Sequence, residues 1–483
     1  MLQVASDISF VRFVYPFVFK FKEDTPLGNI ADRMREQGWR ESSFPEGDLL
    51  PHVRDYLNAK HNGEATAYLL RLSQETLVEK AHRLIFPQGG SEANAGALWT
   101  MHLDSRAVPF RLSEAQLVVF RGGVAMLTLE ARPESVNLAD WLDFIYHFRF
   151  YAGKRGEKQD ASAPTLGYSG KQFEGIKGLI DALLQPFTGE QVENLFMYNM
   201  MLPFSVLYLD GEIDDMEKRR LLYRIRLCFA SWHDLHPPES ELSPSHPHLL
   251  EYARDLWFTF AQQAAGFVAF NAPRDASGFF RSDLPKRLRD RYFLLYQLAL
   301  HQKFRLIHLS NGVSRNWLGG DEKERRKVFV QMRDSLLEFT ARGYFAQVMH
   351  QEQHHRYYCR WREVLQLEML YQEVSNEVRE MYDYLEMRLE EQRTKQSEQL
   401  NWVVIWLTRV TVFFALPSIV VSGLGMNVSS IEQWDTRLGG LWWVAVVIVS
   451  TLISVLIIIL GNRLGSKKDS DALHGEASSN SPR

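Results

Sequence analysis

The apolar positions of this chain change period along its length, and each change predicts a different element. Near the N-terminus Phe10, Phe13, Tyr15, Phe17, Phe19 and Phe21 alternate with other side chains, a near period of two that predicts a half-buried strand. The segment EAQLVVFRGGVAMLTLEA holds two β-rich runs around Gly122-Gly123 and reads as a hairpin. With LWTMHL before it and LADWLDFIYHFRFYA after it, the N-terminal part is expected to be mixed α/β. Residues 153–171 (GKRGEKQDASAPTLGYSGK) and 236–248 (HPPESELSPSHPH) are expected loops, and helical patterns are expected to dominate beyond the second.

From Tyr344 to Leu416 the chain has 73 residues without Gly or Pro, enough for one helix of about 110 Å. Val364, Leu367, Tyr371, Val374, Val378, Met381 and Leu385 alternate steps of three and four, the spacing of a seam between helices. A partner helix of the same or another subunit must cover it. The same stretch carries Glu373, Glu377, Glu380, Asp383, Glu386, Glu390 and Glu391. They read either as a solvated face or, in a parallel oligomer, as a vestibule whose negative potential concentrates cations.

Two runs then match the roughly 20 residues a helix needs to cross a bilayer: Trp402 to Leu424, and Leu441 to Leu460, in which only Ser450, Thr451 and Ser454 dilute the apolar character. The loop between them holds one basic residue, Arg437, whereas Arg393 and Lys395 precede the first run and Arg463, Lys467 and Lys468 follow the second. That bias places both termini in the cytoplasm, so the expected location is integral to a membrane of the bacterial inner type. The tail from Asp469 is polar and expected to be disordered.

The expected fold class is an α+β membrane protein. A cytoplasmic α/β domain (1–240) and a cytoplasmic helical region (241–343) lead to a long stalk helix (344–400). The stalk continues into transmembrane helix 1 (401–424); an outer loop (425–440), transmembrane helix 2 (441–460) and a basic, then disordered tail (461–483) follow. Carried into the first span at the same steps, the seam passes Asn401, Val404, Thr408, Thr411, Ala415, Ser418, Ser422 and Gly425. Small and hydroxyl residues also hold membrane helices together, but a stripe this long with no side chain larger than Val404 suits a water-facing pore wall. Val404 and Leu407 are then the candidate hydrophobic gate. Arg409, inside the span, is read as snorkelling toward lipid head groups.

Composition narrows the picture. Of 483 residues 46% are apolar and the net charge is −4, so a sizeable core is expected and no basic surface points to nucleic acid. Cys228 and Cys359 are the only cysteines, which excludes a disulfide framework and a four-cysteine zinc site. Asp7, Arg12, Pro16 and Lys20 interrupt the N-terminal run, which is unlike a signal peptide. DGEIDDME at 210–217 fails the calcium-loop template because glycine falls at the second place; Asp214 and Glu217 fit a capping box instead. His350 and His354 lie four apart, with Glu352, His355 and Cys359 near; they are a weak regulatory metal site beside the simpler reading of a solvated helix face. No nucleotide loop or nucleophile motif supports an enzyme.

The first span ends in Gly425-Met426-Asn427. A carboxamide ring and backbone carbonyls suit an ion such as Mg²⁺, which dehydrates reluctantly and keeps its waters. Two C-terminal spans, this Gly-Met-Asn triplet, the long preceding helix and the basic stretch after the second span together resemble the CorA family of magnesium channels. The resemblance covers about residues 344–468 and implies a homopentamer with a funnel-shaped cytoplasmic domain. It also implies a pore lined by the first span, with Asn427 at the outer mouth and Asn401, in a QLN segment, near the pore entrance. Leu424 stands where the family usually has an aromatic residue, and VSSIEQWDTRLGG replaces its Met-Pro-Glu-Leu loop; Glu432 and Asp435 are candidates to attract cations in its place. The expectation is a divalent cation channel, Mg²⁺ first, with Mg²⁺ as cargo and candidate regulator and no organic cofactor. A zinc or other transition-metal transporter and a non-conducting membrane-anchored scaffold or sensor are the alternatives.

Overall fold

The computed structural model describes residues 2–459 apart from 20–26, 46, 59, 62–63, 86–97, 104–105, 152–164, 169–170, 188–191, 198, 235, 272–277, 318–321, 426–443, 447 and 458. The aromatic alternation near the N-terminus does form a strand, Phe10–Val18, but all nine of its residues are buried rather than every second one. Val11, Phe13, Tyr15 and Phe17 enter one hydrophobic core. Phe10 and Val14 enter a second core on the opposite face. A strand covered on both sides carries apolar residues at nearly every position, and the FVRFVYPFV run does so with one exception, Arg12.

The hairpin forms as expected. Arg106–Phe120 and Val124–Pro133 pair antiparallel, with Val119 opposite Ala125 and Val118 opposite Met126. Gly123 at the turn has φ 79°, a left-handed conformation that glycine adopts without the clash a Cβ would bring. At Gly122 a Cβ would fall 2.8 Å from the Arg305 guanidinium, which donates to the Gly122 carbonyl. The turn is thus fixed by a tertiary contact as well as by its own conformation.

These strands belong to one large sheet. Its spatial order is Lys171–Glu174, Thr165–Tyr168, Trp99–Leu103, Arg106–Phe120, Val124–Pro133, Phe10–Val18, Leu202–Asp210, Ala264–Phe270, Leu256–Ala261 and Leu249–Ala253. Within that order Leu202–Asp210 and Ala264–Phe270 run parallel, Phe204 opposite Ala265 through Leu209 opposite Phe270. Residues 249–270 are therefore three strands where helix was expected, and the expected boundary at 240 cuts through a single sheet. Their β-rich composition (LWFTFA, AAGFVAF) was the available signal. The turns between them carry Asp255, at φ 64°, rather than glycine or proline, so the usual punctuation is missing.

Helices follow the sheet: Phe293–Trp317, Glu322–Arg342, Glu352–Val364 and Leu367–Gly425. The expected 73-residue helix is thus two helices preceded by a loop, and the long one begins at Leu367, not Tyr344. Residues 344–351 instead lie against the N-terminal part: Phe345 and Val348 are buried, and Leu50 N–H donates to Val348 at 2.9 Å. The second interruption is at Gln366, which takes φ 55°, while Gln262 donates to the freed carbonyl of Val364. Lack of Gly and Pro permits a continuous helix but does not enforce one. The long helix then runs through Pro417 to Gly425, 59 residues, or about 89 Å at 1.5 Å per residue.

The chain divides into two compact units, Met1–Tyr382 and Asp383–Arg483, with the division inside the long helix.

Candidate pore helix

The first turns of the long helix bury the expected seam. Leu367, Val374, Val378, Met381 and Leu385 are buried, as is Val364 at the end of the preceding helix, and Tyr371 is half-buried. Elements of the same chain supply the cover up to residue 382. Tyr371 stacks on Tyr344 with ring centroids 4.6 Å apart and its hydroxyl lies 3.3 Å from Thr340 Oγ1. Ser310 Oγ donates to Glu377 at 3.5 Å, and the Arg333 guanidinium sits 5.1 Å above the Tyr382 ring. Glu373, Glu380, Asp383, Glu386, Glu390 and Glu391 are exposed, as a solvated face requires.

Farther along, Asn401, Val404, Thr408, Thr411, Ser418 and Ser422 are exposed and Ala415 is half-buried. Thr408 Oγ1 donates to the Val404 carbonyl at 2.8 Å and Thr411 Oγ1 to the Leu407 carbonyl at 2.9 Å. Each hydroxyl proton is thereby occupied within the helix, so the oxygens face outward as acceptors. Water molecules around a hydrated cation are donors, and such oxygens receive them without stripping the ion.

Apart from Arg409, the other described side chains of this helix from Trp402 onward are apolar, and many of them are uncovered. Trp402 is 65% exposed, Phe414 63% and Ile419 67%; Val404 and Leu407, the expected gate, are both exposed in the single chain. Residues 444–446 and 448–457 are also helical, with Val444, Ile448, Val449, Leu452, Ile453 and Leu456 exposed. Their buried positions are Ser450 and Ser454, and Ser454 Oγ donates to the Ser450 carbonyl at 3.0 Å. These serines, which in the sequence only dilute an apolar run, lie on the covered side of the segment. Exposed apolar surface on this scale marks a place where a protein partner or a lipid phase makes contact.

No helix is long and apolar enough to cross a membrane among the described residues; 441–443, 447, 458 and 460 of the expected second span fall outside them. Gly425 is the last residue of the long helix. Met426, Asn427, Glu432 and Asp435 lie outside the described residues, as does the tail from Asp469. Arg409 is exposed.

The two histidines of the expected metal site are not brought together on one helix. His350 is exposed and precedes the helix Glu352–Val364, whereas His354 is on it and buried. The His354 ring packs edge-on to Tyr292, centroids 4.9 Å apart, and burial pushes its pKa down to about 4. Among the described residues no group of three or more His, Cys, Asp or Glu side chains could hold a metal ion. At the former calcium-loop candidate, Asp214 caps the helix Asp215–Arg226, its carboxylate accepting from the Glu217 N–H at 2.8 Å.

Residues 323–463 match the family model described as "CorA-like Mg2+ transporter protein". This C-terminal region is similar to the CorA type. The CorA-type match begins in the helix Glu322–Arg342 and takes in the whole polar stripe and the second apolar helical segment. Among solved structures, the CorA magnesium transporter from Methanocaldococcus jannaschii is similar at 15% identity over 56% of this chain and 93% of that chain, with a TM-score of 0.22; a superposition that loose carries no structural argument. None of the curated proteins compared matches the chain.

Proposed function

We propose that the chain is a divalent cation transporter, with Mg²⁺ as its principal cargo, and that it works as an oligomeric channel rather than as an enzyme. The observation that carries this reading is the CorA-type match over 323–463, the residues whose long helix sets a stripe of oxygen acceptors into an otherwise apolar, uncovered surface. A homo-oligomer, a pentamer by resemblance, would turn the Asn401-to-Ser422 stripe toward a common axis. Its apolar flanks would then meet lipid, neighbouring subunits and the second helix, with both chain termini on the cytoplasmic side.

On this reading Mg²⁺ passes with waters attached. Its hydration shell donates to Thr408, Thr411, Ser418 and Ser422, and at the outer mouth to Asn427, next to Gly425 and Met426. Neutral oxygens hold a hydrated dication without the trapping that a carboxylate ring risks. Glu432 and Asp435 raise its concentration outside. Val404 and Leu407 close the path by dewetting when the subunits draw together.

The deciding experiment is ion flux into liposomes containing the purified protein, comparing Mg²⁺, Co²⁺, Ni²⁺ and Zn²⁺. Saturable Mg²⁺ uptake supports the proposal. Uptake of Zn²⁺ without Mg²⁺ would replace it with a transition-metal transporter, and no uptake of any ion would leave a membrane-anchored scaffold or sensor.

A further inference from the structure

A cleft in the first unit gathers more arginine than its carboxylates can satisfy. Its volume is about 500 Å³, and its lining includes Arg40, Arg71, Arg289, Glu114, Ser42 and Ser113. Five separate stretches build it: the strand Arg40–Ser42, the end of the strand Ala67–Leu72, the bulge between Leu112 and Glu114, Glu130 on the strand Val124–Pro133 and the π-helical turn Leu288–Tyr292. Bulges and π-turns re-aim side chains at a chosen point, and both recur at ligand sites.

Beneath the cleft lies Arg12, 2% exposed. It reaches Glu130 at 2.9 Å, Glu114 at 3.2 Å and the Arg289 carbonyl at 2.8 Å. Glu130 also pairs with Arg289 at 3.2 Å and faces Arg132 at 3.9 Å. Glu114 also pairs with Arg71 at 3.3 Å, and Asp290 lies 3.7 Å from Arg71. Burial alone would raise the Glu130 pKa, but Arg12, Arg289 and Arg132 outweigh it and hold the carboxyl below its ordinary value. Glu130 is therefore ionised, and both Glu130 and Glu114 are engaged by arginines through each of their oxygens.

Donors are left over. Arg71 Nε and Arg289 Nη2 have no hydrogen-bond partner, and Arg40 pairs with no carboxylate among the described residues. Glu41, the remaining acid of the lining, is engaged by Arg35. The side chains of Arg71 and Arg289 are 36% and 27% exposed and line the cleft, so a change of rotamer can turn them toward an occupant. Planar N–H forks in excess over acceptors are what phosphate oxygens satisfy in pairs. We propose that this cleft binds a small phosphate-bearing anion, held by Arg40, Arg71 and Arg289 and by the hydroxyls of Ser42 and Ser113. The chemistry is the same whether the phosphate is inorganic or belongs to a nucleotide, and the site is independent of the proposed cation path.

Calorimetric titration of the full-length protein in detergent and EDTA, with sodium phosphate, pyrophosphate and ATP as separate probes, tests this. At least one probe is expected to bind saturably, and Arg71→Gln and Arg40→Gln are each expected to weaken it by about tenfold or more. Arg83→Gln, a change at an exposed arginine outside the cleft, is expected to leave it unaltered. Response to phosphate or pyrophosphate identifies an inorganic ligand; response to ATP alone identifies a nucleotide. No saturable heat up to about 10 mM of any probe, or equal affinity in parent and both cleft variants, overturns the proposal. Arg40 is exposed, so its variant remains informative even where Arg71→Gln lowers stability.

Discussion

Two buried histidines make the stability of this protein acid-sensitive. His354 is 2% exposed and burial pushes its pKa down to about 4. His301 is 1% exposed, stacked on Phe120 at 3.7 Å; burial first, and then the neighbouring Arg305, push it down to about 3. In each ring Nδ1 has no partner, which suits a neutral imidazole. Both folded values lie below the ordinary histidine value of 6.5, so the unfolded chain takes up protons first. Their contribution is whole above pH ~6.5 and is lost as pH falls, toward about 4 for His354 and about 3 for His301. Between pH 7.5 and pH 5 each loss comes to about 2 kcal/mol, hence about 4 kcal/mol together, from 1.36 kcal/mol per pH unit. That is a large part of the roughly 5–15 kcal/mol that holds a domain folded. The assay is urea unfolding of the full chain in detergent at constant ionic strength, followed by near-ultraviolet circular dichroism at both pH values. His354→Phe keeps a ring against Tyr292 and removes the titration, so it should reduce the acid loss by about 2 kcal/mol. Burial also lowers His233, His246 and His248, so a residual slope remains. An unchanged pH dependence in His354→Phe would refute the reasoning, because it would mean that the folded protein accepts the proton on His354 as readily as the unfolded chain does.

Three further outcomes concern the proposed cation path. Asn427→Ala should abolish divalent uptake in liposomes while size-exclusion chromatography shows an unaltered assembly; normal flux would remove Asn427 from the outer mouth. Val404→Ala combined with Leu407→Ala should raise resting conductance in planar bilayers, by widening the segment that dewets, and conductance no higher than the parent's would place the gate elsewhere. Inserting one residue at Gln396 rotates the downstream helix by about 100°, turning Trp402, Ile405 and Phe413 toward the stripe positions, and should stop transport. A seven-residue insertion restores phase to within about 20° and should recover part of the flux; identical behaviour of the two would show that the helix from Leu367 is not a rigid coupling element.

Local pattern was enough for much of this protein. Period-two aromatics gave a strand at Phe10–Val18, Gly122-Gly123 gave the hairpin, and steps of three and four gave a seam whose members Val374, Val378 and Met381 are buried. The polar stripe from Asn401 to Ser422 is likewise visible as spacing alone. These features depend on neighbours a few residues away, which is the range over which backbone geometry fixes side-chain direction. Other features depend on distant partners. Whether Phe10–Val18 is covered on one face or two was decided by helices packing on both sides of the sheet, and the strands of 249–270 were decided by pairing with Leu202–Asp210. The break at Gln366 follows from packing that outweighs the modest cost of a left-handed glutamine. The arginine cleft is the clearest case. Arg12 and Glu130 are 118 positions apart and Arg12 and the Arg289 carbonyl 277 apart, and no spacing rule links residues at such distances. Sequence determined the locally patterned elements and the chemistry each one carries; only the tertiary structure decided the strands of 249–270 and the break at Gln366 and brought those charges together, because burying a guanidinium is tolerable only where several distant acceptors converge on it.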